Sequence, residues 1–236
     1  MNACTDRKTE SRVVSRQSGF TLLELAIVLA ISLVVAGIAI PRFVQTMRNL
    51  RLAGDGRNIA ETLGLAKLRA AADFTDARAY FDFGTGTYRV DVWDKNASCW
   101  RPDVFGAACL GPGGGPGGGA VPGMNLSANV TFGFPGAVGA PPPTVGGAIT
   151  QAPPCRNGAP GGPTLATRPW LGATFANTAC VVFNSRGIPI VDAVTPAQND
   201  VIYIQDIDNV YGLTVSQTGL IRTWSTPATV AGWFQR

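Results

Sequence analysis

Histidine is absent from the chain, which removes both the usual general base of a Ser or Cys nucleophile and the commonest zinc ligand. The residues left with chemical potential are a carboxylate, a set of cysteines, a pair of aspartates and an arginine. Glu24 is the one charged residue between Phe20 and Ile40. A run of about 20 apolar residues is long enough to cross a bilayer as a helix. An acidic side chain at the centre of such a helix costs roughly 2.5–3.5 kcal/mol on insertion scales, so its presence implies a function and a partner. The alternative is a tolerated acid near the membrane end that reaches the headgroups.

Cys4 precedes the apolar run, and Cys99, Cys109, Cys155 and Cys180 follow it. Four cysteines allow three pairings. In an oxidising compartment, Cys99 with Cys109 and Cys155 with Cys180 close the shortest loops; buried free thiols are the other reading. Asp206 and Asp208, in QDID, raise calcium, but two acids at this spacing read first as a solvated turn. Arg222, beside Trp224, could contact a nucleic-acid backbone or lie solvated on a strand. GPGGGPGGG lacks the Lys-Ser/Thr and the strand-to-helix setting of a phosphate loop. No catalytic residue, metal site, cofactor or small-molecule substrate is expected, and the enzyme reading has no scaffold.

The elements that must position these residues follow from composition and period. A chain of 236 residues has room for one membrane helix and one soluble domain of ordinary size. Four basic residues (Arg7, Lys8, Arg12, Arg16) and two acids lie ahead of Gly19, so the remainder carries 15 basic against 13 acidic residues, only +2. A sequence pI near 9 is then weak evidence for nucleic acid. The basic leader predicts that residues 1–19 stay in the cytoplasm and that the carboxyl-terminal bulk is exported. The apolar run exceeds a secretory signal core and reads as an anchor.

Beyond Pro41, Leu52, Gly56, Ile59, Leu63, Ala66 and Ala70 recur at helical period and predict one helix from Phe20 to about Ala72. Gly54, Gly56 and Gly64 weaken its middle and could mark a bend. From residue 79 the period changes to two in ARAYFDF, TYRVDVW, NVTFGF, CVVFN, IPIVD, DVIYIQ, YGLTVS and LIRTW. FNSRGIPI and SQTGL read as hairpin connections with glycine at the turn. The expectation is an α+β fold, a long amino-terminal helix laid on a carboxyl-terminal antiparallel sheet. A Gly/Pro-rich loop is expected over about 111–163, pinned by Cys109 and Cys155.

Gly19-Phe20-Thr21-Leu22-Leu23-Glu24, behind a basic leader and ahead of the apolar run, resembles the class III signal of type IV prepilins and type II secretion pseudopilins. Pro41, at position 22 when Phe20 is counted as one, is a further similarity. The strands CVVFNSRGIPI, DVIYIQ and YGLTVSQTGLIRTW resemble the carboxyl half of the GspH/FimT branch of minor pilins and pseudopilins. The resemblance implies cleavage after Gly19 by a membrane-embedded prepilin peptidase and methylation of the new amino terminus at Phe20. It also implies that Glu24 neutralises that terminus on a neighbouring subunit, which makes the pair a register device.

The implied layout is a leader over 1–19, a transmembrane assembly helix over 20–41, an amphipathic half over 42–74, and a periplasmic β-rich domain over 75–236. The implied partners are other pilin or pseudopilin subunits, the peptidase, the bacterial inner membrane and the assembly platform, in a type IV pilus or a type II secretion pseudopilus. The resemblance also implies a possible DNA partner, since the branch includes proteins thought to bind DNA during uptake through a Gly-Arg-x-Arg element in the terminal turn. Gly219-Leu220-Ile221-Arg222 keeps only the Gly and the second Arg, so one phosphate contact is missing.

Overall fold

The computed structural model describes residues 21–104, 108–110, 123–134, 141, 149–156, 158, 174–190, 199–229 and 232–236. The chain divides into two compact units, Met1–Gln45 and Thr46–Arg236. One helix, α1 (Leu22–Ala72), supplies the described part of the first unit and opens the second. Gly19 and Phe20, the predicted cleavage junction, lie outside the described residues.

In the first unit the apolar side chains have no cover. Leu22 is 85% exposed, Leu33 73% and Ile40 62%. Pro41 lies inside α1. Its ring nitrogen has no proton to donate, so the helix gives up the hydrogen bond that the Gly37 carbonyl would otherwise accept.

In the second unit α1 becomes one-sided. Leu52, Gly56, Ile59, Leu63, Ala66 and Ala70 are all buried, together with Asp55 and Thr62. Thr62 returns its hydroxyl proton to the Asn58 carbonyl at 2.8 Å, so its burial leaves no donor idle. The helix ends where Phe74 takes a positive φ of 49° and the Thr75 N–H turns back to the Ala70 carbonyl.

The strands are β1 (Ala77–Asp82), β2 (Thr87–Asp94), β3 (Cys99–Pro102), β4 (Met124–Asn125), β5 (Thr131–Phe132) and β6 (Thr150–Gln151). They continue with β7 (Thr178–Phe183), β8 (Pro189–Ile190), β9 (Asp200–Gln205), β10 (Asn209–Val215), β11 (Ile221–Pro227) and β12 (Phe234–Gln235). The pattern of period two thus locates the main strands, but they divide between two sheets where one was expected. The first runs β3-β2-β1-β7-β8 with β4 on β2, and the second runs β12-β11-β10-β9-β5 with β6 on β9. All pairs are antiparallel except β6 with β9. Within the stretch 111–163, the described residues add β4, β5 and β6 to these sheets.

One core joins helix and sheets. Ile59, Leu63 and Ala66 of α1 meet Ala79, Phe81, Val181 and Phe183 of the first sheet and Ile202, Ile204, Leu213 and Val215 of the second. The helix comes close enough to the second sheet that a Cβ on Gly56 would stand 3.1 Å from Cδ1 of Tyr211. Gly56 is therefore the point of approach, while Gly54 and Gly64 face open space. Next to it, buried Asp55 accepts the backbone N–H of Ser127 at 2.9 Å and its hydroxyl at 3.0 Å, tying α1 to the segment between β4 and β5.

The two hairpins meet at the far end of α1. Asn184 closes the β7–β8 turn by accepting the Arg186 and Ile188 amides on its side chain. Gly187 and Gly219 adopt φ of 71° and 74°, and Lys67 Nζ donates to the Gly219 carbonyl at 3.1 Å. A Cβ on Gly219 would lie 2.8 Å from the Gly187 carbonyl oxygen, so the contact demands glycine for space as well as for conformation.

Two substitutions test this packing by urea unfolding of the detergent-solubilised chain, followed by circular dichroism. Asp55→Ala is expected to cost about 2 kcal/mol, the scale of hydrogen bonds to a charged acceptor. Gly56→Leu is expected to cost roughly 1–3 kcal/mol through overpacking against Tyr211.

Candidate assembly site

Thr21 precedes α1 and caps it. Its hydroxyl oxygen accepts the backbone N–H of Glu24 at 3.2 Å, and its carbonyl accepts the Leu25 N–H at 3.1 Å. Glu24 therefore occupies the third helical position, in the first turn, where the unpaired amides and the helix dipole favour a negative charge. Thr21-Leu22-Leu23-Glu24 is also a capping-box spacing, a signal that a reading focused on the processing motif passes over. The arrangement gives the carboxylate a local reason to sit at this end of the apolar rod.

The four described cysteines fall into two pairs, and Cys4 lies outside the described residues. Cys99 and Cys109, 10 residues apart, form a disulfide with Cα atoms 5.7 Å apart; Cys155 and Cys180, 25 residues apart, form another at 4.9 Å. The second pair packs with Tyr80, Trp100, Val182 and Ile190 on the face of the first sheet away from α1. Pro153 and Cys155 continue the attachment through backbone bonds from Cys180 and Phe175.

Beneath that covering segment lies an ion cluster that the sequence pattern does not reveal. Arg78 is fully buried and holds Asp91 at 2.9 Å, while its Nη1 donates to the Arg156 carbonyl at 2.5 Å. Its guanidinium lies 4.3 Å from the centre of the Trp100 ring. Arg89 reaches the other oxygen of Asp91 at 2.8 Å and covers Tyr80 at 3.9 Å. Burial pushes the Arg78 pKa down, and the charge and hydrogen bond of Asp91 oppose that shift. The cluster is a closed structural device with its carboxylate shared between two cations.

Arg222 lies on β11 opposite Thr214, half-buried. Trp224 is only 8% exposed and donates its indole N–H to the Thr214 hydroxyl at 3.0 Å, so its ring is not presented beside Arg222 as an open stacking surface. Asp206 builds a turn by accepting the Asp208 and Asn209 amides at 2.8 and 2.6 Å, and Asp208 faces Arg48 at 3.9 Å. Among the described residues, no group of three His, Cys, Asp or Glu side chains could hold a metal ion. A cleft of about 610 Å³ at the end of α1 contains Arg69 bonded to Asp103 at 2.7 Å and Arg101 bonded to Asp94 at 2.6 Å, so these charges neutralise one another.

One comparison with known proteins falls at the same end of the chain. Residues 14–40 match the family model described as the prokaryotic N-terminal methylation motif. Among solved structures, the minor pseudopilin EpsH from the type 2 secretion system of Vibrio cholerae is similar at 11% identity. The similarity spans 73% of this chain and 95% of that chain with a TM-score of 0.38. No curated protein sequence matches the chain.

Asp200, buried at the start of β9, offers a pH test of the outer domain. Burial raises its pKa from 3.8 to about 7. Below about pH 4 both folded and unfolded states are protonated. Between about 4 and 7 the unfolded chain loses this proton first, so stability falls as pH rises and then levels off. Asp200→Asn is therefore expected to match the parent at pH 4 and to exceed it by about 2–4 kcal/mol at pH 8 in urea unfolding.

Proposed function

We propose that the chain is a minor pilin or pseudopilin of the GspH/FimT type, a structural subunit of a type IV pilus or a type II secretion pseudopilus. One observation carries the reading: an uncovered apolar helix inside a methylation motif, with a carboxylate in its first turn. The subunit starts as a single-pass inner-membrane protein with its leader, residues 1–19, in the cytoplasm and its outer domain in the periplasm. Prepilin peptidase cuts after Gly19, and the freed amino group of Phe20 is methylated. The assembly platform then lifts the helix from lipid into the filament.

Two physical arguments support this course. Lipid and neighbouring helices are equally apolar, so transfer between them costs little, and packing and polar pairing decide the final position. Glu24 and the amino terminus of Phe20 on an adjacent subunit can neutralise each other only at one axial stagger, which fixes the register of the stack. Pro41 loosens the helix where it leaves the apolar run. The two disulfides suit an oxidising periplasm. A DNA-uptake role would draw on Arg222; a single half-buried arginine beside a buried Trp224 favours the assembly role.

Glu24→Ala in the native host tests the register role. Cleavage, read as the loss of the leader on an immunoblot, is expected to proceed normally. Recovery of the subunit in sheared filaments is expected to fall about tenfold or more, a conservative reading of the cost of leaving one buried charge without its partner. Normal recovery would contradict the role.

A further inference from the structure

The outer face of the second sheet holds an arrangement that the assembly role does not use. Gly212 sits in the middle of β10, with Tyr203 of β9 and Trp224 of β11 as its cross-strand neighbours. Its backbone is not among the positive-φ positions, so conformation gives no reason for glycine. Space does. A Cβ there would stand 3.2 Å from Cγ of Pro141, 3.3 Å from Cε1 of Tyr203 and 3.4 Å from Cη2 of Trp233. Glycine inside a strand costs stability and commonly marks a place where another group approaches closely.

The approaching group is a proline, and Tyr203 and Trp233 converge on the same point. Pro141 is buried. The ring centres of Phe134 and Tyr203 are 4.4 Å apart at 33°, and Tyr203 and Trp233 are 6.2 Å apart at 40°. Val201 and Val210 complete the apolar surroundings. The sequence there is Ala140-Pro141-Pro142-Pro143-Thr144. Proline-rich segments favour the polyproline II helix and therefore lose little entropy on docking, and grooves lined with aromatic rings are a recurrent way of binding them.

We propose that Phe134, Tyr203 and Trp233, set over Gly212, form a binding site for proline-rich segments, filled here by Pro141 of the chain's own tract. The glycine floor lets the pyrrolidine ring reach the sheet. The site holds Pro141 of the Gly/Pro-rich tract against the second sheet. Once emptied, it takes the same class of segment from outside.

The test uses the full chain in detergent and a fluorescently labelled peptide of residues 138–146, VGAPPPTVG, read by anisotropy. Replacing Pro141, Pro142 and Pro143 together by Ala empties the site, and this variant is expected to bind the peptide at least about tenfold more tightly than the parent, whose own segment competes. A peptide with alanine at the three proline positions is expected not to bind. Adding Trp233→Ala to the emptied variant is expected to abolish binding while near-ultraviolet circular dichroism shows a folded domain. Should the triple substitution fail to fold, Pro141→Ala alone carries the same comparison. Equal peptide affinity for parent and emptied variant, or equal affinity for the proline and alanine peptides, would overturn the proposal.

Discussion

The side chains from Leu22 to Ile40 are left bare by their own chain, and every other feature of the molecule has to be compatible with something else covering them. Each Leu, Ile or Val transferred from water to an apolar surrounding is worth about 1.5–3 kcal/mol, so this surface cannot remain in water. Lipid meets the need, and so would a bundle of similarly apolar helices. Neither requires a change in the helix itself, so the same surface would serve before and after the proposed assembly. The capping of α1 by Thr21 then places Glu24 at the end of the rod, where a carboxylate is favoured by the helix amides and reachable by a charge from outside.

The outer domain answers a different demand on the same helix. From Leu52 onward the rod has a buried side, and small residues on it, Gly56, Ala66 and Ala70, allow two sheets to approach closely. Stability of that domain rests on a central apolar core, on two smaller apolar clusters on the outer faces of the sheets, and on fixed polar points. Asp55 holds the segment after β4, Arg78 and Asp91 form a closed pair beneath Trp100, and Lys67 bridges to the β10–β11 turn. The disulfide at Cys155 and Cys180 holds the covering segment in place over Arg78.

The local parts of this structure were legible in the sequence because their signals are local. The stripe from Leu52 to Ala70 repeats at helical period, and β1, β2, β9 and β10 alternate clearly enough to be read directly. The β3 strand was not, because four residues reading Cys-Trp-Arg-Pro carry no alternation and resemble a loop. Arg78 and Asp91 look like the solvent face of amphipathic strands; they are buried by Trp100 and by residues near Cys155, which are distant in the chain. The division into two sheets is likewise set by remote pairings, β1 with β7 and β5 with β9. At the amino terminus the motif was legible and Thr21 was not singled out, although its spacing from Glu24 is that of a cap.

The central claim is that the bare helix becomes an assembly element only after a new amino terminus is made next to Glu24. Intact-mass and amino-terminal peptide mass spectrometry of the subunit purified from its native membrane tests this directly. The account predicts a chain beginning at Phe20 with one methyl group on its terminal nitrogen. A mature chain that retains residues 1–19, or that begins beyond the apolar run at a secretory cleavage site, would contradict it.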